Sequence, residues 1–311
     1  YLYLLLPKCY LEDFQITLDR ALKIYPNNPH AIFRVSNIFN NDFFIFYSSI
    51  QKELNRTKVI YGQHGGNYGL SKFNTYQDHE INSSTFYLSW GWRGYLRKII
   101  SYGKINNQKF NPKYQKNNED ILLVLGSCPK YFYIIYSIFI SGQFIKYIYD
   151  QHKFINLIHI DNKFFSKLVV RFYHKTDYNW GEKRFIVNSF KNLRIDNNKN
   201  ISNSLKNCKI FVSTYNATTF LEALYYNIPT IIFWNPDHWE LNEKAKTFFA
   251  DFKKNNIFFD TPNDAANFII QNYNNIHSWW FSKKIQKLRL LFLNNYCKSP
   301  HIDNLNKIQK V

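Results

Sequence analysis

The sequence predicts an α/β protein of two domains built around parallel strands. Three observations carry this. Residues 121–125 (Ile-Leu-Leu-Val-Leu) form an uninterrupted apolar run, the mark of a parallel strand buried on both faces. Beyond it, short apolar strands alternate with helix-length segments; residues 210–213, 218–226 and 230–233 make a compact strand–helix–strand unit, right-handed if its strands share a sheet. Before it, the polar stretch 106–120 lacks apolar periodicity and divides the chain. The 311 residues are enough for a core in each part. The expected division is 1–115, 116–280 and a C-terminal helix within 281–311.

Element by element, residues 11–25 read as a helix ended by Pro26 and Pro29, and 36–55 as a second helix rich in Phe. Residues 58–61 form a strand broken by Gly62, and 86–90 another ended by Gly91. Past the divide, a helix is expected over 131–151, a strand over 168–172, a helix over 237–252, a strand over 257–259 and a basic helix over 285–296. The spacing Asp237-x-x-Glu240 reads as a capping box. Asn227 suits a left-handed helix end, and Pro229 stops the helix before the next strand.

A hydrophobic fraction of 45% and an aromatic fraction of 19% mark a folded chain. The formal charge of +18, from 40 Lys and Arg against 22 Asp and Glu, fits nucleic acid, an anionic membrane face or phosphorylated small molecules. The lysines are scattered, and no recognition helix, Cys/His finger or RNA-binding sheet motif is visible, so no nucleic-acid partner is expected. Cys9, Cys128, Cys208 and Cys297 form no CxxC pair, which argues against a metal or disulfide scaffold and for reduced thiols in a cytoplasmic protein. The apolar stretch 131–142 falls short of the roughly 20 residues a membrane span needs and reads as a buried helix. Peripheral contact with the inner face of the cell membrane stays open. The chain starts at Tyr1 and contains no Met, which points to a segment of a longer protein.

Two constellations carry chemistry. In the first, a strand ends in Ser213, Thr214, Tyr215 and Asn216, and a helix opens with Thr218 and Thr219. Unpaired N–H groups at a helix N-terminus favour an anion such as a phosphate. Glu222, one turn further on, is placed to accept bonds from ribose hydroxyls. Ordinary N-capping by Asn216 or Thr218 is the alternative. In the second, Gly62-Gln63-His64-Gly65-Gly66 follows a strand, where open α/β sheets bind substrates. His64 is a candidate general base; a tight turn beside a satisfied histidine is the alternative.

Downstream, His79 and Glu80 diverge on a helix or a strand and are poor metal partners; they could shape an acceptor pocket, or belong to a polar loop. Trp90 and Trp92 fit either stacking on a sugar or core burial. Arg171, with Lys175 near it, could neutralise a diphosphate, or be a surface charge. There is no Asp-x-Asp, GxxxxGK[ST], GxGxxG or GxSxG motif, so kinase, dehydrogenase and hydrolase readings lose support.

Taken in order, Gly62–Gly69, His79-Glu80, 87–92, 213–222, 227–230 and 233–236 resemble a family of transferases found in bacterial surface-polysaccharide gene clusters. More distantly the chain is similar to GT-B glycosyltransferases and to CDP-glycerol glycerophosphotransferases. The resemblance implies two Rossmann-like domains in a GT-B-like arrangement, the N-terminal one incomplete in this chain. It implies a metal-independent glycosyltransferase that uses a nucleotide-sugar as co-substrate, with no bound cofactor, and a carbohydrate or lipid-linked glycan as acceptor. It maps the proposed base to His64 and the ribose ligand to Glu222. The reading adds Arg171, Ser213, Thr214, Asn216, Thr218 and Thr219 on the donor side, and Gln63, Gly65, Gly66, His79, Glu80 and Trp90 on the acceptor side or in loops. The alternatives are a CDP-polyol phosphotransferase and a non-catalytic carbohydrate-binding module.

Overall fold

The computed structural model describes residues 2–35, 38–105, 117–131, 136–173 and 178–300. The chain forms two compact units. One holds Tyr1–His64, Thr75–Ile105 and Lys298–Val311, and the other Gly65–Asn74 and Asn106–Cys297. The expected boundary at 115/116 lies outside the described residues.

The first unit is a four-stranded parallel sheet in the order β1 (Ala31–Arg34), β2 (Lys58–Gly62), β3 (Phe86–Ser89), β4 (Ile99–Ser101). Its helices are α1 (Phe14–Ile24), α2 (Asp42–Glu53) and α3 (Thr75–Ser83). Asn41 caps α2 by accepting the Phe44 N–H at 2.9 Å, so the helix expected over 36–55 begins later than its apolar residues indicate. β1 and β4 are additions to the reading. Both are short and half-exposed, so neither shows a clean apolar run.

The second unit is a six-stranded, fully parallel sheet ordered β10-β9-β8-β5-β6-β7. In chain order its elements are β5 (Asp120–Val124), α4 (Ser141–His159), α5 (Asn162–Phe165), β6 (Leu168–Arg171), α6 (Glu182–Ser189), β7 (Arg194–Ile195), α7 (Ile201–Leu205) and β8 (Cys208–Ser213). There follow α8 (Thr218–Tyr225), β9 (Thr230–Phe233), α9 (Glu243–Lys254), β10 (Phe258–Phe259), α10 (Pro262–Asn272), α11 (Ile276–Trp280) and α12 (Lys283–Tyr296). The buried β8 strand alternates: Ile210 and Val212 join a core with Phe154 and Ile158 of α4 and Ala265 and Ile269 of α10. Phe211, also buried, points by the pleat to the opposite face. Phe220, Phe249 and Phe292 from α8, α9 and α12 form a separate aromatic cluster.

Two expected helices are corrected. The one placed over 131–151 begins at Ser141, because the Ser137 N–H instead donates to Phe73 O at 3.1 Å, the Ser137 hydroxyl oxygen accepts the Phe73 N–H at 3.2 Å, and Gln143 accepts the Ile140 N–H at 2.9 Å. Residues 132–135 of that expected helix lie outside the described residues. The one placed over 237–252 is Glu243–Lys254, capped by Asn242. Asp237 and Glu240 form no capping box: the Asp237 N–H donates to Asn235 Oδ1 at 3.0 Å in a turn ahead of the helix. Among the described residues no helix is long and apolar enough to cross a membrane.

α8 ends as its sequence requires. Asn227 takes a left-handed φ of 58°. Its Oδ1 accepts the Trp280 indole N–H at 2.9 Å and Gln286 Nε2 at 3.0 Å. Asn227→Ala is expected to cost about 2–4 kcal/mol, from left-handed strain and two lost acceptor bonds. Asn227→Gly keeps the backbone relaxed and should cost measurably less. Urea denaturation of the two variants separates backbone strain from the hydrogen bonds.

Candidate functional site

In the second unit the strand order reverses between β5 and β8, since β6 and β7 extend from one side of β5 and β8, β9 and β10 from the other. Open parallel sheets bind ligands at the carboxyl ends of the strands at such a switch point. Here those ends are tied together by a buried hydrogen-bond chain. The Gly126 N–H donates to Tyr147 OH at 2.7 Å, Tyr147 OH donates to Thr214 Oγ1 at 2.7 Å, and the Thr214 hydroxyl donates to Val124 O at 2.8 Å. Burial pushes the Tyr147 phenol pKa well above its ordinary value. A phenol held neutral suits a residue that donates one bond and accepts another.

This network revises part of the expected donor set. Thr214 is buried with its hydroxyl engaged, and the Ser213 hydroxyl, also buried, donates to Tyr215 O at 3.2 Å. Both side chains hold the strand ends together.

The next residues differ. Asn216 is 2% exposed, and neither its Oδ1 nor its Nδ2 has a hydrogen-bond partner among the described residues. An unsatisfied buried amide costs on the order of 1–3 kcal/mol. α8 then opens at Thr218 with Ala217 in the N-cap position and no side-chain cap, so the capping alternative for Asn216 and Thr218 fails. Thr218 Oγ1 accepts the Gly66 N–H at 3.1 Å, and the Thr219 hydroxyl donates to Tyr215 OH at 3.4 Å. Glu222, 9% exposed, lies on α8 one turn beyond Thr218.

The contact with Gly66 comes from a strap, residues 65–74, that belongs to the second unit. Ser71 bridges Leu241 in antiparallel fashion, Lys72 N donates to Glu240 O, and Asn242 N donates to Leu70 O. At its head the backbones nearly touch: a Cβ on Gly66 would lie 2.7 Å from the Ala217 carbonyl and the Thr218 Cα. Only glycine fits there, for want of space.

In the first unit, His64 lies two residues past the end of β2. Its Nδ1 is 3.4 Å from Glu80 Oε1; the Glu80 side chain is 1% exposed and that of His64 37%. His79 and Glu80 both sit on α3, which corrects the polar-loop alternative for these two residues. One position away on that helix, His79 faces outward and rests near the Phe39 ring at 5.2 Å. Gln63 is fully buried: its Oε1 accepts the Trp90 backbone N–H at 2.9 Å and the Trp92 indole N–H at 2.8 Å, while its own carbonyl accepts the Trp90 indole N–H at 2.8 Å. Gln63 and Trp90 therefore lock β2 to β3, and Trp90 takes core burial over sugar stacking.

Arg171 is also corrected. It is neither a surface charge nor open to a diphosphate: its Nη1 pairs with Asp196 Oδ2 at 2.6 Å and donates to Asn198 O at 2.8 Å, with both side chains buried. Burial works against the Asp196 carboxylate, but hydrogen bonds from Ser204, Arg171 and Asn198 outweigh it and hold its pKa below the usual range. Lys175, expected beside Arg171, lies outside the described residues. Among the described residues no group of three or more His, Cys, Asp or Glu side chains is gathered to hold a metal ion.

Two parallel α/β units, one with a topological switch point beside an uncapped helix and a buried amide, define a Rossmann-like class of protein. The chain belongs to the LIC12162 family of transferases, which matches residues 1–306. No curated protein matches it significantly. TarM from S. aureus, crystallised with fondaparinux, α-GlcNAc-glycerol and UDP, is 12% identical with a TM-score of 0.56; the likeness covers 95% of this chain and 58% of TarM. A UDP-N-acetylglucosamine 2-epimerase assigned in Listeria monocytogenes is 7% identical, with a TM-score of 0.54 over 94% of this chain and 76% of its own. MurG from Acinetobacter baumannii is 11% identical, with a TM-score of 0.50 over 97% and 78%. At these identities the likeness is one of fold, and that fold is GT-B, with two Rossmann-like units.

Two variants test the geometry. Arg171→Met strands the Asp196 carboxylate in the interior and is expected to cost about 3–5 kcal/mol in chemical denaturation. Because the folded Asp196 pKa is lowered, its contribution to wild-type stability is present above the unfolded value of about 3.9 and is lost as pH falls through the lower folded value. Gly66→Ala forces the strap off Ala217 and should cost about 1–3 kcal/mol, read as a lowered Tm.

Proposed function

We propose that the protein is a glycosyltransferase that moves a sugar from a nucleotide-activated donor to a surface-polysaccharide acceptor. The observation that carries this reading is the opening of α8 at the switch point. Its first N–H groups have no side-chain cap, and the Asn216 amide beside them is buried without a partner. A diphosphate there supplies the acceptor oxygens that both lack, on the positive end of the helix dipole. Glu222, one turn on, accepts from the donor ribose. Membership of a transferase family agrees with group transfer.

The acceptor chemistry is assigned to His64. The buried Glu80 carboxylate beside Nδ1 fixes the imidazole so that Nε2 takes the proton of the attacking hydroxyl and, as imidazolium, is steadied by the negative charge. Glu80 is thus a positioning residue. Thr218 and Thr219 shape the rim of the phosphate site, and Lys and Arg side chains assist only through the overall positive field. No metal is assigned a step. The acceptor is a carbohydrate or lipid-linked glycan, reached in the cytoplasm at the inner face of the membrane.

Turnover and donor calorimetry on the full protein test the roles separately. His64→Ala is expected to lower kcat by about 10²–10⁴-fold with donor affinity nearly intact. Glu222→Ala is expected to weaken donor binding by about 1.5–3 kcal/mol without unfolding the protein. Donor binding should survive EDTA. Near-normal turnover in His64→Ala removes it as the base, and loss of the fold in Glu222→Ala makes that carboxylate structural.

A further inference from the structure

The helices that close the second unit are one-sided in charge. Residues 265–300 contain no Asp or Glu, yet they hold Lys283, Lys284, Lys287, Arg289 and Lys298. α12 carries most of this charge on a single face. At about 3.6 residues per turn, Lys283, Lys287 and Leu290 fall along one line, and Lys284 and Leu291 along the next. All five are exposed, each leucine to 52%. The opposite face of the helix, with Ile285, Arg289, Phe292 and Tyr296, is buried.

The outward charges are not compensated from within. Among the described residues Lys283, Lys284 and Lys287 form no ion pair. Arg289 is turned inward and donates to Leu224 O at 2.7 Å, at the carboxyl end of α8. The neighbouring helices have no acid to lend. α9 packs on α12 through Phe248 and Phe252, which both meet Phe292. Its two carboxylates are taken by its own lysines, Glu243 by Lys246 at 2.7 Å and Asp251 by Lys254 at 4.0 Å. The only acid of α8, Glu222, is buried, and α11 has none.

Three cations without counter-ions call for an anionic partner, and two half-exposed leucines on the same face call for apolar surroundings. Nucleic acid meets the first demand and leaves the leucines against phosphates and water. An anionic bilayer meets both: the lysines reach the headgroup phosphates while the leucines enter the acyl boundary. The five side chains span about 12 Å along the helix axis, so one flat surface meets them all. We propose that the outward face of α12 docks the protein on an anionic phospholipid bilayer. The proposal rests on the reading of an acceptor reached at the inner face of the membrane for its setting alone, and it requires neither His64 nor Glu222.

Sedimentation of the full chain with vesicles tests it without requiring turnover. The chain is expected to bind vesicles of equal parts phosphatidylglycerol and phosphatidylcholine, and not vesicles of phosphatidylcholine alone. One lysine near an anionic surface is worth about 5-fold in affinity. Lys283→Gln, Lys284→Gln and Lys287→Gln together should therefore weaken binding about 100-fold and flatten its salt dependence. Leu290→Gln and Leu291→Gln should each weaken it about 10-fold, the worth of half a leucine's burial. All five side chains are exposed, so melting temperatures should stay at the wild-type value; if either set unfolds, the other decides. Three results overturn the proposal. The chain binds the mixed vesicles no better than phosphatidylcholine; the triple lysine variant binds undiminished, which puts the contact elsewhere; or binding is lost with the lysines and indifferent to both leucine changes, the mark of a polyanion site that RNA would fill. Calorimetry with UDP on the same samples keeps the two readings apart. Vesicle binding without UDP binding counts against the donor site alone, and UDP binding without vesicle binding against α12 alone.

Discussion

A parallel strand buried on both faces has little room for polar side chains in its middle, and this constraint organises the second unit. β5, β8 and β9 are apolar over 121–124, 210–212 and 231–233, so polar side chains gather at and beyond the strand ends. There the backbone emerges still buried and must find partners. Tyr147 and Thr214 supply them, joining Gly126 to Val124 through two hydroxyl groups. With those ends fixed, the turn 214–217 has one course, and α8 starts where that course delivers it. The first unit solves the same problem with an amide: Gln63 accepts both a backbone and an indole N–H, and holds the end of β2 to the segment after β3. In both units the residues nearest the strand end serve the scaffold, and the proposed site residues His64 and Asn216 lie one or two positions further on.

That displacement explains why the sequence was legible for elements and only partly for the site. β8, α8 and β9 were plain because apolar runs are punctuated by Asn227 and Pro229, and punctuation is local. The hydroxyl run 213–219 reads as one constellation, yet the structure divides it between Ser213 and Thr214, which are satisfied internally, and Asn216, which is not. No spacing rule distinguishes them, since the difference arises from Tyr147, far away in sequence. Arg171 was misread for the same reason, because Asp196 is 25 residues distant in a polar stretch with no periodicity. His64 and Glu80 were each visible, but their proximity required α3, whose weak amphipathic pattern hid it. Helix starts failed where a strap residue had a prior claim on the backbone, as Phe73 does on Ser137.

Aromatic abundance has a structural use here that composition alone conceals. Tryptophan appears mainly as a long-reach hydrogen-bond donor that pins loops, with Trp180 bonded to Cys128 and Trp280 to the helix-ending Asn227.

The strap has a consequence for the chain as a unit of inheritance. Residues 65–74 fold with the second unit although they are encoded inside the first, and Lys298 returns to the first after the second is complete, donating its N–H to Trp90 O. Neither unit is therefore a contiguous stretch of gene. A single recombination between two relatives would hand each unit a foreign insert: the new strap would meet Ala217 and Leu241 of another lineage, across a gap too narrow for a methyl group. The two halves are thus bound to diverge together, each fixing which versions of the other can be inherited with it.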